Sequence, residues 1–155
     1  MTDASASLSD ILARLQRLEE IEAARNHLHA YAKTLDRPTP ESVAALFTED
    51  AVLSVPSGEF RGRDEIAAFY RSRIAAQTGD RRHFIMNLKT RHLGPGLVEI
   101  ESYFIFTGRD RESSTIGWGT YRDRIRVTDG VPLFEAKTIT PHVTTDLATG
   151  WAAPA

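Results

Sequence analysis

The sequence predicts an α+β fold, in which helices from the first half of the chain pack on one face of a curved antiparallel sheet. The first observation is the helical spacing of apolar residues between Leu8 and Leu35. The second is a change to alternating periodicity from Arg82, with hairpin turn signals at Gly94-Pro95-Gly96 and Asp129-Gly130. Helices and strands do not alternate regularly along the chain, which argues against a parallel sheet built from βαβ units.

The first helix begins at Leu8, and either Ser7 or Ser9 can cap it, since a hydroxyl there accepts a hydrogen bond from a free backbone amide. Its apolar stripe continues to Leu35. The helix stops at Asp36-Arg37-Pro38, because a residue that precedes proline is disfavoured in the helical conformation.

Two shorter helices and one strand come next. Thr39-Pro40-Glu41 starts the second helix, because proline suits the first helical position and an acidic side chain suits the first turn. A strand follows at residues 51–55, and the third helix begins at Asp64 and ends before Thr78-Gly79-Asp80. Four strands in an antiparallel meander complete the sheet, with predicted bounds 82–92, 97–107, 113–128 and 133–142. Within them, Gly117-Trp118-Gly119 indicates a bulge or a strong bend.

Length and composition predict one domain that needs no disulfides. The chain has 155 residues, 41% of them hydrophobic, and no cysteine, which excludes thiolate metal sites and thiolate nucleophiles. We expect a frayed segment at residues 1–7, a single domain at residues 8–143 and a tail at residues 144–155. Leu147 and Trp151 suggest that this tail packs against the body or a neighbouring subunit.

Charge and hydropathy favour a cytoplasmic protein that binds neither nucleic acid nor membrane. The formal net charge is -2, and we expect the basic middle of the chain to be a solvated face without interleaved exposed aromatic residues. The N-terminal residues have neither the basic nor the apolar region of a signal peptide, and no apolar run reaches membrane-spanning length. The basic segment contains Arg61, Arg63, Arg71, Arg73, Arg81 and Arg82.

Asp36 and His83 are the candidate catalytic pair. His83 lies on the strand face that also carries Ile85 and Asn87, so it is either a surface histidine or a residue turned towards a pocket. Asp36 is either a helix-ending turn residue or the carboxylate that orients an imidazole. A carboxylate at a helix C-terminus is unfavourable unless a cation lies nearby, and either Arg37 or a histidinium could serve.

Other candidates are weaker when taken from the residues alone. Tyr31 is equally compatible with a core tyrosine and a hydrogen-bond donor, and it converges with Asp36 only if the last helical turn loosens. Aromatic residues at alternate positions could line a pocket or fill a core. His92 has the opposite parity from His83, which argues against a two-histidine metal site on this strand. The wall candidates are Phe104, Phe106 and Tyr121, and Lys137 interrupts the last strand.

In combination, several segments resemble a SnoaL-like member of the nuclear transport factor 2-like superfamily. The resemblance covers about residues 8–142 and rests on the helix ending in residues 31–37, followed by Leu46-Phe47-Thr48-Glu49-Asp50-Ala51, Phe60-Arg61-Gly62-Arg63-Asp64, His83-Phe84-Ile85-Met86-Asn87 and Tyr121-Arg122-Asp123-Arg124. It implies a cone-shaped curved antiparallel sheet with a mixed edge, packed on three N-terminal helices and enclosing a deep pocket. Activities in this superfamily vary widely, so the fold alone does not specify one.

The narrower resemblance is to the group of scytalone dehydratase, bile acid 7-alpha-dehydratase and lindane dehydrochlorinase. It implies catalytic roles for Asp36 and His83, a tyrosine role for Tyr31 and a basic role for Lys137 on the last strand. The dehydratases place a further polar residue where this chain has Phe106, which weakens the match to their substrates.

The leading hypothesis is a cofactor-independent lyase or isomerase that acts on a small, mostly apolar, cyclic or aromatic substrate without a metal. His83 would remove a proton, Asp36 would orient it, and Tyr31 would donate a hydrogen bond. The alternative is a non-catalytic small-ligand-binding or assembly module, such as a small subunit resembling those of ring-hydroxylating dioxygenases. The resemblance also implies a homodimer formed through the outer sheet face, or a higher homo-oligomer.

Overall fold

The computed structural model describes residues 7–77 and 79–150. The predicted frayed segment at residues 1–7 lies outside the described residues except for Ser7, and the predicted packing of Trp151 lies outside them as well. The helices are α1 (Leu8–Asp36), α2 (Pro40–Ala44) and α3 (Gly62–Ala75). The strands are β1 (Phe47–Val55), β2 (Gly58–Arg61), β3 (Asp80–Gly94), β4 (Leu97–Arg109), β5 (Ser114–Thr128) and β6 (Val131–Asp146).

The predicted antiparallel meander forms one side of the sheet, and two further strands extend it. The spatial order is β2-β1-β6-β5-β4-β3. Strand β1 pairs with β6 in parallel, and β2 pairs with β1 in antiparallel orientation. The sequence did not predict β2, and β6 continues past the predicted end at residue 142. The sheet is therefore mixed and open, the helices pack on it, and the predicted α+β fold is confirmed.

Local capping explains where the first two helices start. The Ser7 hydroxyl accepts a hydrogen bond from the Asp10 amide at 3.2 Å, and the Asp10 carboxylate accepts one from the Ser7 amide. Thr39 and Ser42 form the same reciprocal pair at the start of α2. At its other end, α1 stops at Asp36, immediately before the turn that leads to Pro38.

The apolar stripe of α1 has two different environments. Ala24, Leu28 and Tyr31 are buried, and Tyr31 packs edge-on against Phe134 with ring centroids 5.4 Å apart. The first half of the stripe is exposed and consists of Leu8, Ile11, Leu12, Leu15 and Leu18. The C-terminal half of α1 is thus the part that faces the sheet. Within the part of the chain that the structure describes, no helix is both long enough and apolar enough to cross a membrane.

A β-bulge in β3 changes which residues face the helices. Asn87 has φ of 55°, and the pairing with β4 gains one residue on β3 between Met86 and Lys89. After the bulge, the side-chain alternation is reversed. The prediction that His92 faces the opposite way from His83 is therefore wrong, because sequence parity assumes a regular strand.

Candidate active site

A cavity of about 400 Å³ lies between the inner face of the sheet and helices α1 and α3. This volume suits a small organic molecule, and such sites combine an apolar wall with a few polar groups. The apolar and aromatic lining includes Leu35, Val55, Phe69, Ile74, Phe104, Phe106 and Ile139. The polar lining includes Tyr31, Tyr70, Arg73, Gln77, Arg81, His83, Tyr121, Thr115 and Thr144.

Asp36 and His83 meet at the wall of this cavity. The end of α1 carries Asp36 to the start of β3, where its Oδ1 accepts a hydrogen bond from the His83 backbone amide at 2.8 Å. The same oxygen lies 3.1 Å from His83 Nδ1. This contact favours the tautomer that carries the proton on Nδ1, so that Nε2 keeps its lone pair. Since His83 lines the cavity and Asp36 does not, the carboxylate supports the imidazole from behind.

His83 is turned away from solvent. Its side chain is 10% exposed, whereas the next residue, Phe84, is 50% exposed on the opposite face of β3. The polar residue therefore points inwards and the apolar one outwards, contrary to the surface-histidine interpretation. Helices α1 and α3 cover this end of the inner face, which explains the inversion.

The surroundings of His83 favour its neutral form. Burial lowers the pKa of His83 below its ordinary value, the hydrogen bond and the charge of Asp36 raise it, and the positive charge of Arg81 lowers it again. The net effect is a lowered pKa, because the free energy lost on removing an imidazolium from water exceeds the stabilisation that the Asp36 carboxylate provides. A neutral imidazole beside a carboxylate is the state that a general base requires.

Tyr31 is paired with a residue that the sequence did not single out. Its hydroxyl lies 2.6 Å from the hydroxyl of Tyr70 on α3, and both side chains line the cavity. One hydroxyl donates to the other, which leaves one proton for a ligand. Burial raises the pKa of both phenols, so both stay protonated near neutral pH. Tyr31 is therefore hydrogen-bonded to Tyr70, and the contact with Asp36 that a loosened helix end would have allowed is not formed.

Three predicted wall residues line the cavity as a set. Phe104 stacks on Tyr121 with ring centroids 4.3 Å apart, and Phe106 lies 6.1 Å from the His83 ring. The Phe106 and Phe104 rings lie over glycines of β5. A Cβ atom at Gly117 would come within 2.4 Å of Phe106, and one at Gly119 would come within 2.8 Å of Phe104. The predicted irregularity at this point is confirmed, because the pairing of β5 with β6 shifts between Trp118 and Gly119.

Lys137 lies behind the cavity wall and does not line the cavity. It is fully buried, and its Nζ donates to Asp123 Oδ1 at 2.9 Å. The same Nζ lies 3.8 Å from the ring centroid of Tyr121 and 4.1 Å from that of Tyr31. The sequence predicted a basic role for Lys137, but these two rings lie against its ammonium group and it does not contact the cavity directly. The charge of Lys137 reaches the cavity only through them.

Two arginines contribute to the cavity, and the sequence had placed them on a solvated face. Arg73 comes from the last turn of α3, and Arg81 precedes His83 by two residues on the same face of β3. The sequence did contain one indication for Arg81, namely its spacing of two residues from His83, because residues two apart on a strand share a face. It was obscured by the neighbouring arginines of the same basic segment.

Among residues 7–77 and 79–150, no group of three histidine, aspartate or glutamate side chains could hold a metal ion. His27 on α1 and His92 on β3 make contacts outside the cavity. His27 Nε2 lies 2.9 Å from the Leu46 carbonyl, and His92 Nε2 lies 2.7 Å from Glu20. These histidines connect elements of the fold.

Solved structures with the same fold include proteins of three kinds. A candidate scytalone dehydratase from Novosphingobium aromaticivorans DSM 12444 is 24% identical, with 90% of this chain and 93% of that chain covered and a TM-score of 0.76. The hexachlorocyclohexane dehydrochlorinase LinA-type3 from Novosphingobium barchaimii LL02 is 20% identical, with 92% and 99% covered and a TM-score of 0.75. The beta subunit of a candidate aromatic-ring-hydroxylating dioxygenase from Novosphingobium aromaticivorans DSM 12444 is 18% identical, with 79% and 89% covered and a TM-score of 0.67. At these identities, the likeness establishes the fold.

A match to a protein-family model establishes the family to which the chain belongs. A search of curated protein sequences gives no significant match. The model of the SnoaL-like domain matches residues 16–134, which include most of α1, all of α2 and α3, and most of the sheet, together with Asp36 and His83. The chain therefore belongs to the SnoaL-like domain family, within the nuclear transport factor 2-like superfamily.

Proposed function

We propose that the protein is a cofactor-independent lyase or isomerase that removes a proton from a carbon atom of a small, mostly apolar, ring-containing substrate. The observation that carries this proposal is the contact between Asp36 and His83 at the cavity wall. The shared fold with a candidate scytalone dehydratase and a dehydrochlorinase is consistent with it.

The proposed proton transfer uses the neutral imidazole of His83. Nε2 takes the proton from the substrate carbon, while Nδ1–H donates to Asp36, whose negative charge stabilises the imidazolium that forms. The electron pair left on carbon then either expels a group from the adjacent carbon or moves to another position that is reprotonated. The first outcome is a lyase reaction and the second is an isomerisation. General acid–base catalysis of this kind contributes a rate factor of about 10² to 10⁴.

Tyr31 and Tyr70 supply the proposed electrophilic side of the cavity. The free hydroxyl proton of this pair would hydrogen-bond to the departing or enolising oxygen, where negative charge develops. Lys137 would add positive potential from behind the Tyr31 ring. The aromatic wall excludes water, which strengthens each of these electrostatic interactions.

The test is hydrogen exchange in D₂O, because it reports proton removal whatever the leaving group. A panel of cyclic ketones and β-hydroxy ketones is incubated with the protein, and deuterium uptake is measured by mass spectrometry. We expect uptake that requires His83 and is unchanged in His92→Ala, a matched histidine on the same strand. The proposal fails if His83→Ala exchanges at the wild-type rate, or if no member of the panel exchanges with the wild-type protein.

The second candidate function is a non-catalytic subunit or small-ligand-binding module. The observation that favours it is the shared fold with a dioxygenase beta subunit, of which 89% is covered. Stable copurification with a large oxygenase chain, together with an unaffected complex in His83→Ala, would support assembly over catalysis.

Oligomeric state and location belong to the same proposal. A homodimer is inferred from the family resemblance, and light scattering of the purified protein measures it directly. A cytoplasmic location is supported by a sequence with no cysteine, as expected for a reducing compartment.

A further inference from the structure

We propose that Arg81 and Arg73 form an oxyanion-binding subsite of the cavity, and that the ligand carries a carboxylate or a phosphate beside its apolar ring. The identity of this ligand as the substrate rests on the proposed function, whereas the subsite itself does not.

The first argument is that these two arginines differ from the rest of their basic segment. Four arginines of this segment form ion pairs with carboxylates, namely Arg61 with Glu59, Arg63 with Glu49, Arg71 with Glu41 and Arg82 with Asp80. Within the described part of the chain, neither Arg73 nor Arg81 forms an ion pair. Both of them line the cavity, and the four paired arginines do not. The two arginines of this segment without an ion pair among the described residues are thus the two that line the cavity.

The second argument is an unused donor on Arg81. Its Nε is shielded from solvent and has no hydrogen-bond partner among the described residues. The guanidinium carbon lies 5.7 Å from the centroid of the Phe106 ring, which holds one face of the group against the aromatic wall. A buried N–H without an acceptor is unfavourable, and a ligand oxygen would satisfy it.

The third argument is the repulsion between the two cations. Burial lowers the pKa of Arg81, and the positive charge of Arg73 lowers it further. An anion between the two side chains would relieve this repulsion. Guanidinium groups bind carboxylates and phosphates through paired, charge-assisted hydrogen bonds, so both oxyanions fit the donors.

The position of the subsite relative to His83 limits the ligand. Arg81 and His83 are two residues apart on one face of β3, a spacing of about 7 Å along the strand. A substituted six-membered ring can span this distance with its oxyanion at Arg81 and a ring or side-chain carbon at His83. We infer that the substrate class is a cyclic acid or a cyclic phosphate ester whose anionic group serves as a handle.

Isothermal titration calorimetry with three probes tests the subsite without requiring turnover. The probes are benzoate, phenyl phosphate and neutral benzamide. We expect the wild-type protein to bind at least one of the two anions in the millimolar range or tighter, and roughly tenfold more tightly than benzamide. The anion with the higher affinity distinguishes a carboxylate ligand from a phosphate ligand.

Variants locate the binding to the two arginines. Arg81→Gln should weaken anion binding by about tenfold or more, Arg73→Gln should weaken it less, and Arg81→Lys should retain part of it. Arg82→Gln is the matched control, because Arg82 is paired with Asp80 away from the cavity, and its affinity should equal that of the wild type. Equal binding of benzoate, phenyl phosphate and benzamide, undetectable binding of both anions, or unchanged anion binding in Arg81→Gln would each overturn the subsite.

The same titrations separate this inference from the proposed catalytic function. His83→Ala should retain the preference for an anion, because the arginines remain in place. If the anion preference depends on Arg81 but no compound exchanges deuterium, the subsite stands and the catalytic proposal fails. If neutral ketones exchange through His83 while anions show no preference, the catalytic proposal stands and the subsite falls.

Discussion

Two carboxylate–histidine pairs join helix α1 to strand β3, and they are built alike. Asp36 Oδ1 lies 3.1 Å from His83 Nδ1, and Glu20 Oε2 lies 2.7 Å from His92 Nε2. Both pairs are largely shielded, with side-chain exposures of 24% for Asp36 and 10% for His83, and of 9% for Glu20 and 13% for His92. Both distances lie within hydrogen-bond range, and all four side chains are mostly buried.

The difference lies in what the histidine faces. His83 lines the cavity, whereas His92 and Glu20 do not. Glu20 also accepts hydrogen bonds from the Gln16 side chain and the Gly96 backbone amide, so its pair belongs to a network that holds α1 against the β3–β4 turn. An imidazole supported by a carboxylate becomes a candidate base only where its other nitrogen reaches a cavity. We therefore expect loss of activity from changes at the first pair and loss of stability from changes at the second.

The largest expected effect is that of His83→Ala on deuterium exchange. Removal of the base should lower the exchange rate by about 10² to 10⁴. His92→Ala should leave the rate unchanged, although it should lower the melting temperature. A similar loss of activity in both variants would contradict the conclusion that only the pair of Asp36 and His83 serves catalysis.

Asp36→Asn should have the next largest effect on exchange. Asparagine can still accept the hydrogen bond from the His83 amide, but it has no charge to stabilise an imidazolium. We expect a rate lower by about 10², with a melting temperature within about 4 °C of the wild type. A rate equal to that of the wild type would contradict the role of the carboxylate, and Glu20→Gln serves as the matched control for activity.

Glu20→Gln should act on stability and leave exchange intact. Loss of this buried, charge-assisted contact should lower the free energy of unfolding by about 1–3 kcal/mol, measured by urea denaturation. Burial raises the pKa of Glu20, but its hydrogen bonds to His92, Gly96 and Gln16 outweigh burial and lower it below 4.5. The ionised carboxylate therefore stabilises the fold above about that pH, and its contribution is lost as the pH falls through the lowered pKa. The difference in the free energy of unfolding between wild type and variant should therefore disappear under acidic conditions. A difference that persists there would show that the ionised carboxylate is not its cause.

The smallest expected effect concerns the pH profile of exchange. Burial lowers the pKa of His83 below its ordinary value of 6.5, and Arg81 contributes to the lowering. Exchange should therefore be level near neutral pH and should fall as the pH drops through the lowered pKa, because the protonated imidazole cannot act as a base. Arg81→Gln should move this inflection slightly upwards, while Arg82→Gln should leave it in place. An inflection above that of an ordinary histidine would contradict a neutral, buried base.

The same fall in pH has a second consequence for stability. Since the pKa of His83 is lower in the folded state, the unfolded chain binds the proton more readily. The stabilising contribution of neutral His83 is fully present above the ordinary pKa and is lost as the pH falls towards the lowered one. Urea titrations of wild type and His83→Ala across this range would measure it.

Much of the fold could be predicted because its signals are local. Ser7 and Thr39 cap helices through residues three positions away, and proline ends or starts a helix through its own ring. The glycine-containing turns between β3 and β4 and between β5 and β6 determine the hairpins. By contrast, β2 has four residues and a weak pattern, and β1 joins the sheet through a parallel partner that is distant in sequence.

The candidate site divides in the same way. The sequence alone determined the helix that ends at Asp36, the strand that carries His83 and the shared face of Phe104 and Phe106, because each follows from a short repeat or a breaker. The tertiary structure alone decided that Tyr31 pairs with Tyr70, that Lys137 lies behind the rings and that Arg73 and Arg81 face the cavity. The physical reason is that side-chain direction depends on bulges such as that at Asn87 and on which elements cover the sheet. Those contacts join residues far apart in the chain, and they exist only after the helices pack on the curved sheet.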